Sequence, residues 1–203
     1  MKFSIYVIWF FLLSITNVSA EKTPEELSST CLGCHGVVSY NNIYPTYKVP
    51  KLGNQHKDYL VAALKAYRSG ERTHLTMRAH ASNLSDSDIV KLAEYFSSIK
   101  YQEQVTNTAD IEMIEEANSC VGCHGADGNS MIPTFPKIAG QYQDYLYHAL
   151  KAYKNGERNN AIMNGISSTL NEKQMKKLSK YFSSQKGMQK INQGRIALKK
   201  LED

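Results

Sequence analysis

The sequence predicts an all-α protein built from two tandem domains of similar structure. Three observations carry that expectation. Residues 51–100 align without gaps to residues 137–186, at an offset of 86, and 23 of the 50 positions are identical. Within both copies apolar residues recur three and four places apart, which stacks them on one face of a helix. No segment reads as a strand. Self-similarity on this scale is the mark of a duplicated structural unit.

The N-terminus stands outside the repeat. Met1-Lys2 precedes an apolar run, Phe3 to Ile15, broken only by Ser4 and Ser14, and then Asn17-Val18-Ser19-Ala20. One positive charge, a short apolar run and small residues one and three places before a cut read as a secretory signal peptide. Residues 1–20 are assigned to it, with cleavage after Ala20, which implies export to the periplasm. A spanning helix needs about 20 apolar residues, so an uncleaved anchor is the lesser alternative. The first domain is expected at 21–106 and the second, with a C-terminal tail, at 107–203. The polar linker Tyr101 to Asp110 places the boundary near Asn107.

Each unit should open with a short helix. In the first it runs from about Pro24, where proline suits the first turn and Glu25 and Glu26 suit the positive helix end. Asp110 to Ser119 is the matching segment of the second. Asp58 to Ser69 puts Leu60, Ala63, Leu64 and Tyr67 on one face, and Gly70 and Gly156 stand where a left-handed cap would end that helix and its copy. Ser85 to Asp88 forms a capping box ahead of Ile89, Leu92, Ala93 and Phe96; Asn171 with Gln174 does the same in the second unit. These apolar stripes are core packing and do not choose a chemistry.

The chemistry lies in Cys31-Leu32-Gly33-Cys34-His35 and Cys120-Val121-Gly122-Cys123-His124. Cys-x-x-Cys-His is the signature of covalent haem c attachment. Two thiols three residues apart can reach the two vinyl groups of one porphyrin, and the following His can ligate the iron. A thioredoxin-like pair would need a βαβ context. A four-Cys zinc site spaces its pairs by roughly 15–20 residues, whereas 86 positions separate Cys34 from Cys120. Two local disulfides would leave His35 and His124 without a role. The expected cofactors are therefore two covalently bound haem c, held by Cys31, Cys34, Cys120 and Cys123.

An iron that only carries electrons needs a second axial ligand, and Met raises its potential. Met77 and Met163 occupy equivalent repeat positions, following their first Cys by 46 and 43 residues. They are the nominated partners of His35 and His124. His74 or His80 could instead give the first haem a bis-His set, but Asn160 and Ile166 replace them in the second unit. A backbone carbonyl near Pro45 and Pro133 is the expected acceptor for the other nitrogen of each ligating His.

The chain carries 24 basic and 19 acidic residues, a formal +5 that falls to +4 once Lys2 is removed. Four haem propionates would bring the holoprotein near neutrality, and there is no dense basic run, so nucleic acid is excluded as a partner.

With these motifs on two helical units, the chain resembles dihaem cytochrome c4. Gly-Ala-Asp-Gly-Asn-Ser at 125–130, Phe135-Pro136-Lys137-Ile138-Ala139-Gly140-Gln141, Gly156-Glu157-Arg158 and Ala161-Ile162-Met163 carry the resemblance. It implies two class I cytochrome c folds related by a pseudo-twofold axis, with the haems facing each other near the interface. It also implies a periplasmic dihaem carrier, expected as a monomer in loose association with the membrane, passing single electrons from a quinol-oxidising complex to a terminal oxidase. The first unit departs from the family pattern at Gly36 to Val49, which is longer and Tyr-rich. The tail 187–203 lies outside the repeat. The alternative is a dihaem oxidoreductase such as a thiosulfate dehydrogenase or peroxidase. Attachment consumes all four Cys and each unit offers a Met, so no catalytic residue is assigned and no enzyme is expected.

Overall fold

The structure is a computed structural model that describes residues 21–37, 39–44, 46–99 and 112–188. The signal segment, the boundary near Asn107 and the tail beyond Met188 lie outside the described residues.

The first unit comprises α1 (Pro24–His35), α2 (Lys57–Ser69), α3 (Leu75–Ala81) and α4 (Asp86–Ser98). The second comprises a 3-10 turn (Glu115–Ala117), α5 (Asn118–His124), α6 (Gln143–Lys154), α7 (Ala161–Thr169) and α8 (Glu172–Ser184). The expected capping boxes form: the Ser85 hydroxyl accepts from Asp88 N–H while the Asp88 carboxylate accepts from Ser85 N–H, and Asn171 and Gln174 repeat the exchange. Gly70 ends α2 at φ 90°, a left-handed conformation that glycine adopts without a Cβ penalty. The copy differs slightly, since α6 stops at Asn155 and Gly156 (φ 76°) follows it.

Two expectations need correction. The helix placed over Asp110 to Ser119 is, in its described part, a 3-10 turn leading into α5, because Ala117 supplies no capping side chain where Thr23 caps α1. Two two-residue strands, β1 (Asn41–Asn42) and β2 (Tyr47–Lys48), pair antiparallel although no strand was expected. They are too short to show alternation, and they lie in the longer loop of the first unit.

The cores follow the repeat. Leu60, Leu92, Ala93 and Phe96 form one, with Leu27, Cys31 and Leu32 of α1 against it. Leu146, Leu178, Tyr181 and Phe182 form the other, with Ile114 and Cys120 against it. In the first unit α1 packs directly on α4, whereas in the second the 3-10 turn that leads into α5 packs on α8.

The units meet across reciprocal bonds that express the pseudo-twofold axis. Thr73 N–H donates to Glu157 O and Asn159 N–H to Glu71 O, each at 2.9 Å, around an antiparallel bridge between Arg72 and Arg158. Gln55 grips the Lys137 backbone, its Nε2 donating to Lys137 O and its Oε1 accepting from Lys137 N–H, both at 2.9 Å. Gln141 does the same to Lys51 at 3.0 Å. Between the two amides lies the Met188 sulfur, 3.4 Å from Gln55 Nε2 and 3.5 Å from Gln141 Nε2. The hairpin breaks the symmetry: Tyr47 is buried and stacks on His148 at 4.1 Å, while Lys48 N–H donates to Asp144.

Candidate functional site

The attachment residues fall where a helix can present them together. Cys31, Cys34 and His35 fill the last turn of α1, and Cys120, Cys123 and His124 the end of α5. All four cysteines are half-buried, and none is in a disulfide. Burial pushes the Cys31 and Cys120 thiols up, so both are neutral at ordinary pH. No cluster of three or more metal-ligating side chains exists among the described residues.

Each histidine is locked in one tautomer. His35 Nδ1–H donates to Pro50 O at 2.8 Å, and His124 Nδ1–H to Pro136 O at 2.9 Å. That leaves Nε2 in both rings as the bare nitrogen, available to a metal. Burial is the main cause that pushes His35 down to about 4, helped by the nearby His74 and His80; burial also lowers His124. The acceptors are therefore Pro50 and Pro136, not the carbonyls near Pro45 and Pro133. The repeat register held the signal: Pro50 and Pro136 are themselves 86 apart, whereas Pro45 lies in the unmatched loop.

Met77 lies on α3 and Met163 on α7, both half-buried. Those helices escaped the sequence reading because they are short and carry little apolar periodicity. Their caps were missed too. His74 Nδ1 accepts from Met77 N–H at 3.2 Å, and Asn160 Oδ1 from Met163 N–H at 3.0 Å. His74 and Asn160 share one repeat position, so their chemical difference hid a common job. His74 and His80 of α3 are near enough to His35 for their charge to lower it further. His74 is occupied as a cap, with its ring edge-on to Tyr47 and Tyr67, and His80 is exposed. The remaining described methionines point elsewhere: Met113 and Met131 are exposed, Met175 is core, and Met188 lies at the interface.

Sequence reading also missed a pair of buried cations. Arg72 and Arg158 are 7% and 5% exposed, and neither has a carboxylate partner among the described residues. Tyrosines surround them. Arg72 donates to Tyr59 Oη at 3.3 Å and Tyr145 Oη at 2.9 Å, and Arg158 donates to Tyr145 Oη at 3.4 Å. Arg72 also lies over the Tyr67 ring, while its Nε has no partner. Unpaired buried charge is costly, and haem c brings two propionates. A guanidinium with an unused N–H suits such a carboxylate, so the donor set, the locked histidines and the buried cations together fit haem in each unit.

Comparisons with known proteins agree. The cytochrome c family model matches residues 112–186. Cytochrome c-552 of Acidithiobacillus ferridurans is 34% identical, over 79% of this chain and 76% of its own. The cytochrome c4 structure of Acidithiobacillus ferrooxidans is 34% identical at a TM-score of 0.62, covering 77% of this chain and 99% of that one. The thiosulfate dehydrogenase electron acceptor of Thiomonas intermedia is 25% identical, over 80% of this chain and 81% of its own.

Proposed function

The chain belongs to the cytochrome c4 family and binds covalent haem c, and from that premise we propose a periplasmic dihaem carrier that passes single electrons from a quinol-oxidising complex to a terminal oxidase. When bound, each haem supplies a one-electron Fe(III)/Fe(II) couple. We assign Cys31 and Cys34 to one haem and Cys120 and Cys123 to the other, His35 and His124 as proximal ligands, and Met77 and Met163 as distal ligands.

One observation carries this reading: both histidines are buried or half-buried and locked through Nδ1, with a capped Met-bearing helix in each unit. A His and a Met from each unit would together hold the iron and would leave it no free position for substrate, which suits a carrier better than a catalyst. Pro50 and Pro136 hold the rings at a fixed orientation, and His74 and Asn160 hold the helices that carry Met77 and Met163. Export over residues 1–20 and cleavage after Ala20 belong to the same proposal; among the described residues no helix is long and apolar enough to cross a membrane.

The test is to change Met77 and Met163 separately to Ala in the holoprotein. Each change should turn one haem high-spin and lower its potential, leaving the other low-spin. Two low-spin haems in both variants would overturn the ligand assignment, and His80 would then be examined for the first haem. Oxidation of the reduced protein by membranes with an active terminal oxidase, blocked by cyanide, tests the partner.

A second reading rests on the thiosulfate-linked relatives. One is named an electron acceptor, and this chain also matches 36% of a thiosulfate dehydrogenase from Marichromatium purpuratum, at 25% identity and a TM-score of 0.62. A thiosulfate-oxidising donor would fit the carrier reading; thiosulfate oxidation by the isolated holoprotein would replace it with the enzyme.

A further inference from the structure

The duplicated units keep their cores but differ in the charge carried by their last helix. α4 and α8 are repeat equivalents, and Leu92, Tyr95 and Phe96 of α4 recur as Leu178, Tyr181 and Phe182 of α8. Their outer faces do not correspond. α4 carries Asp86, Asp88 and Glu94 against Lys91, a net −2, whereas α8 carries Lys173, Lys176, Lys177 and Lys180 against Glu172, a net +3. The fold therefore does not require these lysines.

All four lysines are exposed and, with Gln143 and Glu172, line an open cleft of about 520 Å³. Lys177 Nζ pairs with Glu116 at 2.6 Å. Lys176 lies over the Tyr147 ring at 5.7 Å. Lys173 and Lys180 make no ion pair among the described residues. The cleft is close to the second haem site: Glu116 precedes Cys120 by one helical turn, and the inner face of α8 packs in the same core as Cys120.

We propose that this lysine face is the docking surface for a carboxylate-rich redox protein, which would exchange electrons with the second haem rather than the first. This rests on the carrier reading. The occupant is an acidic protein and not an anionic membrane, because the exposed positions of α8 are Glu172, the four lysines and Ser184, with no apolar side chain to enter a bilayer interface. Opposite charge around a redox site steers encounter and orients the partner, with strong dependence on salt. The first unit offers no matching lysine face: on α4, Asp86 pairs with Lys65 and Arg68, Glu94 with Lys57, and Lys91 with Glu21.

The test uses the dihaem holoprotein and the variant Lys173→Glu/Lys176→Glu/Lys180→Glu. Lys177 is kept, so its pair with Glu116 survives, and all three changes are on exposed positions. Reduced protein is mixed with ferricyanide, an anionic oxidant, and with tris(phenanthroline)cobalt(III), a cationic one. At low ionic strength the variant should lose roughly tenfold in the ferricyanide rate of the second haem and gain with the cobalt complex, and both differences should shrink at ~0.5 M salt. Immobilised poly-L-glutamate should retain the wild type and the variant Lys173→Arg/Lys176→Arg/Lys180→Arg but not the Glu variant. Unchanged rates and retention in the Glu variant would overturn the docking surface while leaving the carrier reading intact. Binding to phosphatidylglycerol vesicles through these lysines, without retention on poly-L-glutamate, would overturn it in favour of a lipid surface. Failure of either haem to exchange electrons with both oxidants would instead count against the carrier reading.

Discussion

Gln55 offers the sharpest test of how the two units are held together. Its side chain is 5% exposed, and both of its polar atoms bind the backbone of Lys137 across the interface at 2.9 Å. Gln55→Ala removes both bonds and strands a buried N–H and a buried C=O. Each such group costs about 1–3 kcal/mol, so the change should destabilise the holoprotein by about 2–4 kcal/mol after partial solvation. For a chain of this size that corresponds to a fall in Tm of roughly 4–16 °C. Thermal unfolding followed by far-UV circular dichroism, at fixed protein and salt, reads it. Gln141→Ala should behave alike, since it grips Lys51 in the same way. Both amides also touch the Met188 sulfur, so the double variant should depart from additivity. Gln55→Glu is the control: it keeps the size and the acceptor but sets a carboxylate against Lys137 O, and it should be no better than Ala. A shift of Gln55→Ala under ~2 °C would refute the reasoning that these bonds are buried and structural.

Two further predictions follow from local geometry. At Gly128 φ is +82°, and an added Cβ would lie 2.8 Å from both Ala139 N and Phe182 Cδ1, so Gly128→Ala should cost about 2–4 kcal/mol and give a clearly lower urea midpoint; a midpoint within error of the wild type would contradict the packing described. His148 is pushed down to about 4, chiefly by burial and then by the positive charge of Arg158. The unfolded chain therefore binds more protons than the folded one between about 4 and 6.5. This contribution to stability is complete above the unfolded value and declines as pH falls through that window. His148→Gln should flatten the decline of the urea midpoint between pH 7 and 4.5, and parallel curves for both proteins would refute the assignment.

The haem sites were legible to different depths. The attachment residues form a contiguous motif, so spacing alone named them. The nominated methionines came from the repeat, because equivalence at an offset of 86 separates Met77 and Met163 from four others in the mature chain. The histidine acceptors were misplaced by a few residues, since the loop that differs between the units hid the register in which Pro50 and Pro136 correspond. His74 and Asn160 were invisible as a pair, because a ring nitrogen and an amide oxygen do the same capping job with unlike side chains.

By itself the sequence pointed to two helical units and two covalent haems and nominated the residues proposed to attach them, because these depend on period, duplication and short-range spacing. The tertiary structure decided what lies between the units. The Gln55 and Gln141 grips, the Met188 sulfur between them and the paired buried arginines join residues 47 to 133 positions apart. No local pattern encodes such contacts. They exist only once two copies of one fold meet face to face, when each residue finds the partner of its own repeat equivalent across the axis.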